Sequence, residues 1–223
     1  MKNYAIIVAG GSGKRMKTDL PKQFLLLKGL PVLMHTIKAF AGSKSQPTIL
    51  LVLHNSFHTY WRGLCCTYKF ETPHILVAGG KERFHSVKNA LANISNEGLI
   101  AVHDGVRPLV SANLIDACFN AAERFGNAIP AVMANESVRR KVENTSLSLN
   151  RDEIFLVQTP QVFSSVLLKK AYQQEFSTEF TDDASVVEKD GAEIFLVDGE
   201  RTNLKITFIN DIEIAELCLR KKS

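Results

Sequence analysis

YAIIVAGGSGKRMKTDLPKQ, Tyr4 to Gln23, is the stretch around which the chain is organised. Tyr4 to Val8 is too short and too apolar for an amphipathic helix, so it reads as a buried strand ending where Gly10, Gly11 and Gly13 begin. A loop without Cβ atoms can aim successive N–H groups at an anion, and Arg15 and Lys22 can neutralise charge that the amides only orient. The reading is therefore a polyphosphate-binding loop, against the plainer alternative of an ordinary strand-to-helix turn. Two well-known phosphate loops fail on spacing. A Walker A loop needs glycine where Val8 stands and Ser or Thr where Arg15 stands, and a dinucleotide fingerprint begun at Gly11 meets Met16 at its third glycine.

Outward from that loop, 223 residues with 45% apolar content can bury a substantial core, and no Pro/Gly/Ser-rich linker or charge block divides them. One domain is expected, spanning residues 1–223. A net charge of +4 and a pI near 8.8 suit an anionic small substrate. Aromatics are not interleaved with a basic run, which argues against nucleic acid. Cys65, Cys66, Cys118 and Cys218 lack CxxC spacing and read as reduced thiols of a cytoplasmic protein. The early apolar run is too short for a signal peptide and no 18 consecutive apolar residues occur, so no membrane role is expected.

Strand and helix patterns then alternate. Pro31 fits a first helical turn ahead of Leu33, Ile37 and Phe40; Thr48 to Leu53 reads as a strand; a helical segment with Phe57 and Trp61 as packing residues follows. His74 to Ala78 is a further strand, Phe84 to Ile94 a helix, and Leu99 to Val102 a strand running into HDGVRP. Ser111 is a candidate N-cap for a helix carrying Leu114, Ile115, Cys118, Phe119 and Ala122. This order predicts a three-layer α/β fold, Rossmann-like, with a mostly parallel central sheet and functional loops at the strands' C-terminal ends. From about Met133 to Phe155 the sequence turns polar and alternating, which reads as a two-stranded arm; an isolated hairpin is marginal in water, so a partner subunit should cover it. A helix from near Thr181 to Gly191, strands at Glu193 to Val197 and Leu204 to Phe208, and a last helix capped by Asn210 complete the expectation. Arg220, Lys221 and Lys222 then stand where its dipole favours cations.

Five polar clusters follow strands or precede helices: Gly10 to Gln23, Gly79 to Ser86, His103 to Pro108, Gln158 to Gln161 with Thr181 to Ala184, and Asn203 to Thr207. Asp104 at the end of a buried strand needs a cation or hydrogen-bond donors. Arg107 is a candidate partner in a structural pair, the alternative being contact with a ribose or a nucleotide-bound metal. Arg15, Lys22, Arg83, Arg107, Arg151 and Lys205 recur near loop and strand ends. His35, His54, His58, His74, His85 and His103 lack zinc-site spacing, and neither a GxSxG elbow nor a local sign of a cysteine nucleophile is present. What remains is chemistry by electrostatics: positioning two polyanions and stabilising charge on phosphorus.

With those residues assembled, the chain resembles the 2-C-methyl-D-erythritol 4-phosphate cytidylyltransferases of the non-mevalonate isoprenoid pathway. The resemblance runs almost end to end and rests on AGGSGKRM with PKQ, GGKER followed by SV, VHDGVRP, QTPQ with Phe163, TDDAS, and NLKIT followed by Asp211, in that order. It implies a nucleotidyltransferase fold with a β-arm used for homodimerisation, CTP and methylerythritol phosphate as substrates, and a divalent cation, normally Mg²⁺. The sugar phosphate would attack the α-phosphorus of CTP and release pyrophosphate.

The resemblance further implies that Arg15 and Lys22 hold the triphosphate and stabilise the pentavalent transition state, and that Arg151 and Lys205 position methylerythritol phosphate. Arg107, Ser137 and Thr181 would be further contacts to that substrate. Arg151, at the arm's return strand, would serve the partner's site. Ala9, Gly10, Gly11, Gly13, Gly80, Lys81 and Ser86 would bind CTP, and Asp104 with Gly105 would lie on its ribose or metal side, the metal being held mainly by phosphates. Two departures stand out. Many relatives read Ala-Ala-Gly at Ala9 to Gly11 and HDAARP at His103 to Pro108; both changes here leave the charged positions intact. A ribitol 5-phosphate cytidylyltransferase shares several of these motifs but tends to lack the threonine of TDDAS. A silent nucleotide-binding module is the reading from another class.

Overall fold

The computed structural model describes residues 1–10 and 20–220. Its elements begin with β1 (Lys2–Val8), the short pair β2 (Leu26–Leu27) and β3 (Leu30–Pro31), and α1 (Val32–Ala41). Next come β4 (Thr48–Leu53), α2 (His58–Thr67), β5 (Ile75–Ala78), α3 (Arg83–Leu91), β6 (Gly98–Asp104) and α4 (Ala112–Phe125). The second half holds β7 (Asn127–Met133), β8 (Arg139–Val142), β9 (Thr145–Ser148), β10 (Phe155–Val157) and β11 (Gln161–Ser164). It closes with α5 (Ser165–Ala171), α6 (Asp183–Lys189), β12 (Leu196–Asp198) and α7 (Asn210–Arg220).

Period-two side-chain alternation decides the layers. In β1, Ala5 and Ile7 face α1, α2 and α4, while Tyr4 and Ile6 face α3, α5 and α6; Leu51 against Leu50 in β4 and Ala101 against Ile100 in β6 divide likewise. The spatial order β5, β4, β1, β6 is parallel throughout. β11 then joins β6 antiparallel, β7 pairs with β11, and both β10 and β12 pair with β7. The expected three-layer, mostly parallel α/β sheet is thus present. Among the described residues β8 and β9 pair only with each other, and every residue of both is exposed on this chain.

Local chemistry explains the element ends. The Ser111 hydroxyl accepts from Leu114 N, and α4 stops at Gly126 with φ of 83°. Pro31 stands immediately before α1 rather than within it. α6 begins at Asp183, two residues after the expected start, because Asp182 and Ser185 form a capping box. Leu204 to Phe208 is not a strand, contrary to expectation. Its apolar alternation serves a smaller cluster in which Ile206 packs with Leu27, Val32, Val106 and Ala215 beside α7. The turn into α7 is closed by Asp211, which accepts from Thr207 N and Phe208 N, and not by a cap from Asn210. Lys221 and Lys222 lie outside the described residues.

β6 is buried at every position and carries the site at its end. Its first residue, Gly98, pairs with Lys2, where an added Cβ would lie 2.0 Å from Lys2 O. Near the other end, His103 packs its ring 4.9 Å from that of Phe40. Its Nδ1 lies 3.0 Å from Thr159 Oγ1 and its Nε2 3.3 Å from Arg107 O. A carbonyl can only accept, so the network assigns the proton to Nε2 and lets Nδ1 accept from Thr159. Burial is the largest influence and pushes the imidazole pKa down to about 3.

Two stability outcomes follow from β6. Gly98→Ala forces β1 and β6 apart and should lower the unfolding free energy by about 1–3 kcal/mol, seen as a lower urea midpoint at unchanged slope. For His103, the unfolded chain takes a proton near pH 6.5 and the folded chain only near 3. The unfolded state therefore binds more protons between those values; the contribution is complete above pH 6.5 and declines as pH falls toward 3. In metal-free buffer, wild-type stability should fall more steeply with acidification than that of His103→Gln, and parallel profiles would contradict this assignment.

Candidate active site

The C-terminal ends of β1, β4, β5 and β6 open into a cleft of about 780 Å³. Ala9 and Gly10 line it after β1, His54 after β4, Gly79 and Gly80 after β5, and Asp104 and Val106 at the end of β6 and beyond it. Lys22, Gln23, Lys81, Arg83, Ser86 and Lys205 complete most of the wall. This is where an open parallel sheet presents its functional loops.

Backbone proximity explains two of the glycines. A Cβ on Gly80 would lie 2.4 Å from His85 Cβ and 2.8 Å from His85 C, so only glycine lets this loop fold onto the start of α3. There Gly80 N donates to Ser86 Oγ at 3.0 Å, and that hydroxyl donates to Glu82 O at 3.1 Å. Gly105 N donates to Val8 O at 2.9 Å, and a Cβ at Gly105 would lie 2.9 Å from Ala9 Cβ. The small residues at Ala9 and Gly105 thus let the ends of β1 and β6 close on each other.

Asp104 is the electrostatic centre. Its Oδ2 receives Lys205 Nζ at 2.9 Å and Arg107 Nε at 3.3 Å, while Oδ1 lies 3.9 Å from Arg83 Nε. Its backbone N donates to Thr159 Oγ1 at 3.1 Å. Burial alone would raise the carboxyl pKa, but Arg83, Lys205 and Arg107 together outweigh it and hold Asp104 well below the usual carboxylate range. Burial is also the largest influence on Arg107 and lowers its pKa against the pull of Asp104. Arg83 goes the other way: burial would lower it, but Asp183 and then Asp104 keep it firmly cationic.

The structure brings Lys22, Lys205, Asp104, Gly10, Gly80, Lys81, Ser86 and Ala9 to one cleft. Gly105 and Arg107 sit directly behind it, packed against Ala9 and paired with Asp104. Arg151, Ser137 and Thr181 do not line it on this chain. All three are exposed, and the nearest acid recorded for Arg151 is its neighbour Asp152, at 3.7 Å. Gly11, Gly13 and Arg15 lie outside the described residues. Among the described residues no cluster of three or more His, Cys, Asp or Glu could hold a metal ion.

Sequence reasoning left several supporting side chains unassigned. Gln23 Nε2 donates to Ala9 O at 2.8 Å, and Lys22 Nζ donates to Ile206 O at 3.0 Å, so PKQ fastens both the end of β1 and the segment carrying Lys205. Asn203 Nδ2 donates to Thr159 O at 2.8 Å, while Asn203 O accepts from Arg107 Nη1 at 2.8 Å. Asp183, with no exposed surface, receives Arg83 Nη2 and Tyr172 Oη, each at 2.6 Å. QTPQ, TDDAS and NLKIT flagged these segments as polar; which side chain met which needed the three-dimensional fold.

Comparison with known proteins agrees with this geometry. The family model for 2-C-methyl-D-erythritol 4-phosphate cytidylyltransferase matches residues 3–221. A protein of that name from Phocaeicola vulgatus is 51% identical over 98% of this chain and 100% of its own length. One from Bacteroides thetaiotaomicron is 48% identical with the same coverage. Among solved structures, 4-diphosphocytidyl-2C-methyl-D-erythritol synthase from Anaerococcus prevotii superposes with a TM-score of 0.83 at 28% identity, covering 98% of both chains. The Thermus thermophilus cytidylyltransferase gives 0.77 at 29% identity, covering 99% of this chain and 100% of that one. By its near-complete family match, its close relatives and the fold of its cleft, this chain belongs to the 2-C-methyl-D-erythritol 4-phosphate cytidylyltransferase family.

Proposed function

We propose that this protein transfers the cytidylyl group of CTP to 2-C-methyl-D-erythritol 4-phosphate, giving 4-diphosphocytidyl-2-C-methyl-D-erythritol and pyrophosphate. The observation that carries the reading is the convergence of Lys22, Arg83 and Lys205 with Asp104 in one cleft, beside the Cβ-poor backbone of Ala9 to Gly10 and Gly79 to Gly80. A sugar phosphate and a triphosphate repel each other, and bringing them together at low dielectric requires cations to offset their charge. In this reading a phosphate oxygen of methylerythritol phosphate forms a new bond to the α-phosphorus. The bond from that phosphorus to the bridging oxygen breaks, and the electron pair leaves with pyrophosphate. A phosphomonoester with a second pKa near 6 is already largely deprotonated at neutral pH, so no general base is needed.

Lys22, with Arg15, would offset charge on the triphosphate; Lys205 would meet the attacking phosphate. For this, Lys205 must share or leave its contact with Asp104. A divalent cation, Mg²⁺ by preference, fits as an ion held chiefly by phosphates: Oδ2 of Asp104 is occupied by Lys205 and Arg107, while among the described residues Oδ1 has the longer contact to Arg83 to compete with a metal bond. When bound, such an ion supplies charge neutralisation of the triphosphate.

The functional unit in this proposal is a homodimer joined through the arm formed by β8 and β9. The arm is exposed along its whole length on one chain, and Arg151, which follows it, lines no part of that chain's own cleft. Donation of Arg151 and Ser137 to the partner's site reconciles both facts. A cytoplasmic setting is consistent with four free thiols, and no helix among the described residues is long and apolar enough to cross a membrane.

Pyrophosphate release from CTP should depend on 2-C-methyl-D-erythritol 4-phosphate and not be supported equally by ribitol 5-phosphate; release with neither acceptor would sink the proposal. Lys22→Ala should cut turnover by roughly two or more orders of magnitude with little change in fold, as for loss of a preorganised donor. Rates near wild type would refute the role of Lys22. Mixing Arg151→Ala chains with Lys22→Ala chains should recover part of the activity through hybrid dimers, whereas no recovery in purified heterodimers would rule out sharing across the interface.

A further inference from the structure

Asp183 belongs to TDDAS but does not reach the cleft; it lies beneath it, in the first turn of α6, with no exposed surface. A buried carboxylate is costly, and a site needed only for packing would be filled by an apolar side chain. Both of its oxygens are committed: Oδ2 to Arg83 Nη2 and Oδ1 to Tyr172 Oη, at 2.6 Å each. Arg83 is thus gripped at one end in the core. Its Nε points the other way, 3.9 Å from Asp104 Oδ1, and its side chain is 31% exposed along the cleft wall. A planar guanidinium can serve two carboxylates in fixed directions, which a single ammonium cannot do.

We infer that Asp183 is a positioning residue for the nucleotide side of the cleft, acting through Arg83 on the placement of Asp104. The inference rests on the cytidylyl-transfer reading given above. Held by Asp183, Arg83 contributes only a long contact to Asp104, which therefore leans on Lys205 and Arg107 at 2.9 and 3.3 Å. Released, Arg83 would be drawn fully onto Asp104 and compete with Lys205 for it. Because Asp104 Oδ1, the oxygen with the longer contact to Arg83, is what the nucleotide or its cation would meet, the loss falls on CTP rather than on the acceptor.

Steady-state kinetics of four variants with CTP and methylerythritol phosphate test this. Asp183→Asn keeps hydrogen-bonding capacity but removes the charge, and should raise KM for CTP about tenfold while kcat stays within about threefold and KM for the acceptor within about twofold. Tyr172→Phe removes the other partner of Asp183 and should lower the unfolding temperature without moving KM for CTP. If Asp183 acts through Arg83, Arg83→Gln combined with Asp183→Asn should bind CTP no worse than Arg83→Gln alone. Multiplying effects in that double variant, an unchanged KM in Asp183→Asn, or an equal rise in Tyr172→Phe would overturn the inference. Should Asp183→Asn fail to fold, Arg83→Lys carries the test, since a lysine lacks the planar fork that holds Arg83 between the two carboxylates in fixed directions: KM for CTP must rise, and an unchanged value overturns it. Wild-type turnover in the same assay tests the underlying reaction separately, because its absence would remove the reaction itself, whereas wild-type activity with unaffected variants removes only the role of Asp183.

Discussion

The carboxylate of Asp104 lies at the end of a wholly buried strand and meets three cations delivered by segments far apart in sequence: Arg83 from α3, Arg107 from the turn after β6, and Lys205 from the segment before α7. Without them the ionised group would be too costly at that depth; without it they would repel one another across the mouth of the sheet. Each end of the interaction therefore depends on the fold that assembles the other. Among the described residues that line or back the cleft, the cations Lys22, Lys81, Arg83, Arg107 and Lys205 outnumber the carboxylates Glu82, Asp104 and the Asp183 beneath Arg83. A concave, partly desolvated surface with such a surplus attracts polyanions before any specific contact forms.

A second tier of polar side chains holds the cations in place. Asn203 takes Arg107 at its carbonyl and spends its amide on Thr159 O and, at 3.3 Å, on Gln158 Oε1. Gln158 in turn donates to Glu200 O at 2.8 Å. Ile206 N donates to Val106 O at 2.9 Å, beside the Lys22 contact to Ile206 O. The segment carrying Lys205 is therefore fixed by hydrogen bonds to three separate loops and by the burial of Ile206. Such hydrogen-bonded networks confer rigidity on a polar region that apolar packing alone would leave free to move, even though Asn203 Oδ1 finds no partner among the described residues.

This arrangement also explains what the sequence disclosed and what it withheld. The parallel strands β1, β4, β5 and β6 were legible because a short apolar run between turn signals has few other uses, and because Gly10 and Gly79 punctuate it, whereas β7 and β11 were not read from the sequence. Ser111 was legible because capping is local. Leu204 to Phe208 misled because alternation records which residues are buried, not whether their backbone pairs with a neighbouring strand; here Ile206 is buried against α7 and the loop after β6. Arg83 and Lys205 could be recognised as cations near loops, yet their common anion could not be deduced, since Asp104 lies 21 residues from one and 101 from the other. The clash at Gly98 was invisible for the same reason: only register places Lys2 O against it.

The arm follows from similar constraints on a larger scale. Among the described residues nothing on the same chain covers β8 and β9, and the sheet beside their base exposes Met133, Phe155, Leu156 and Val157 at 42–52% of their surface. Two exposed strands of four residues cannot hold themselves together in water on their hydrogen bonds alone. Apolar surface at the base and an unsupported hairpin beyond it would both be covered in the homodimer proposed above, with each arm laid on the other subunit. The same geometry would carry Arg151 away from its own cleft and toward a partner's, adding a cation on the side where the acceptor phosphate must enter. Dimerisation would then do more than bury area: it would complete the positive charge needed to hold the second anion against the first.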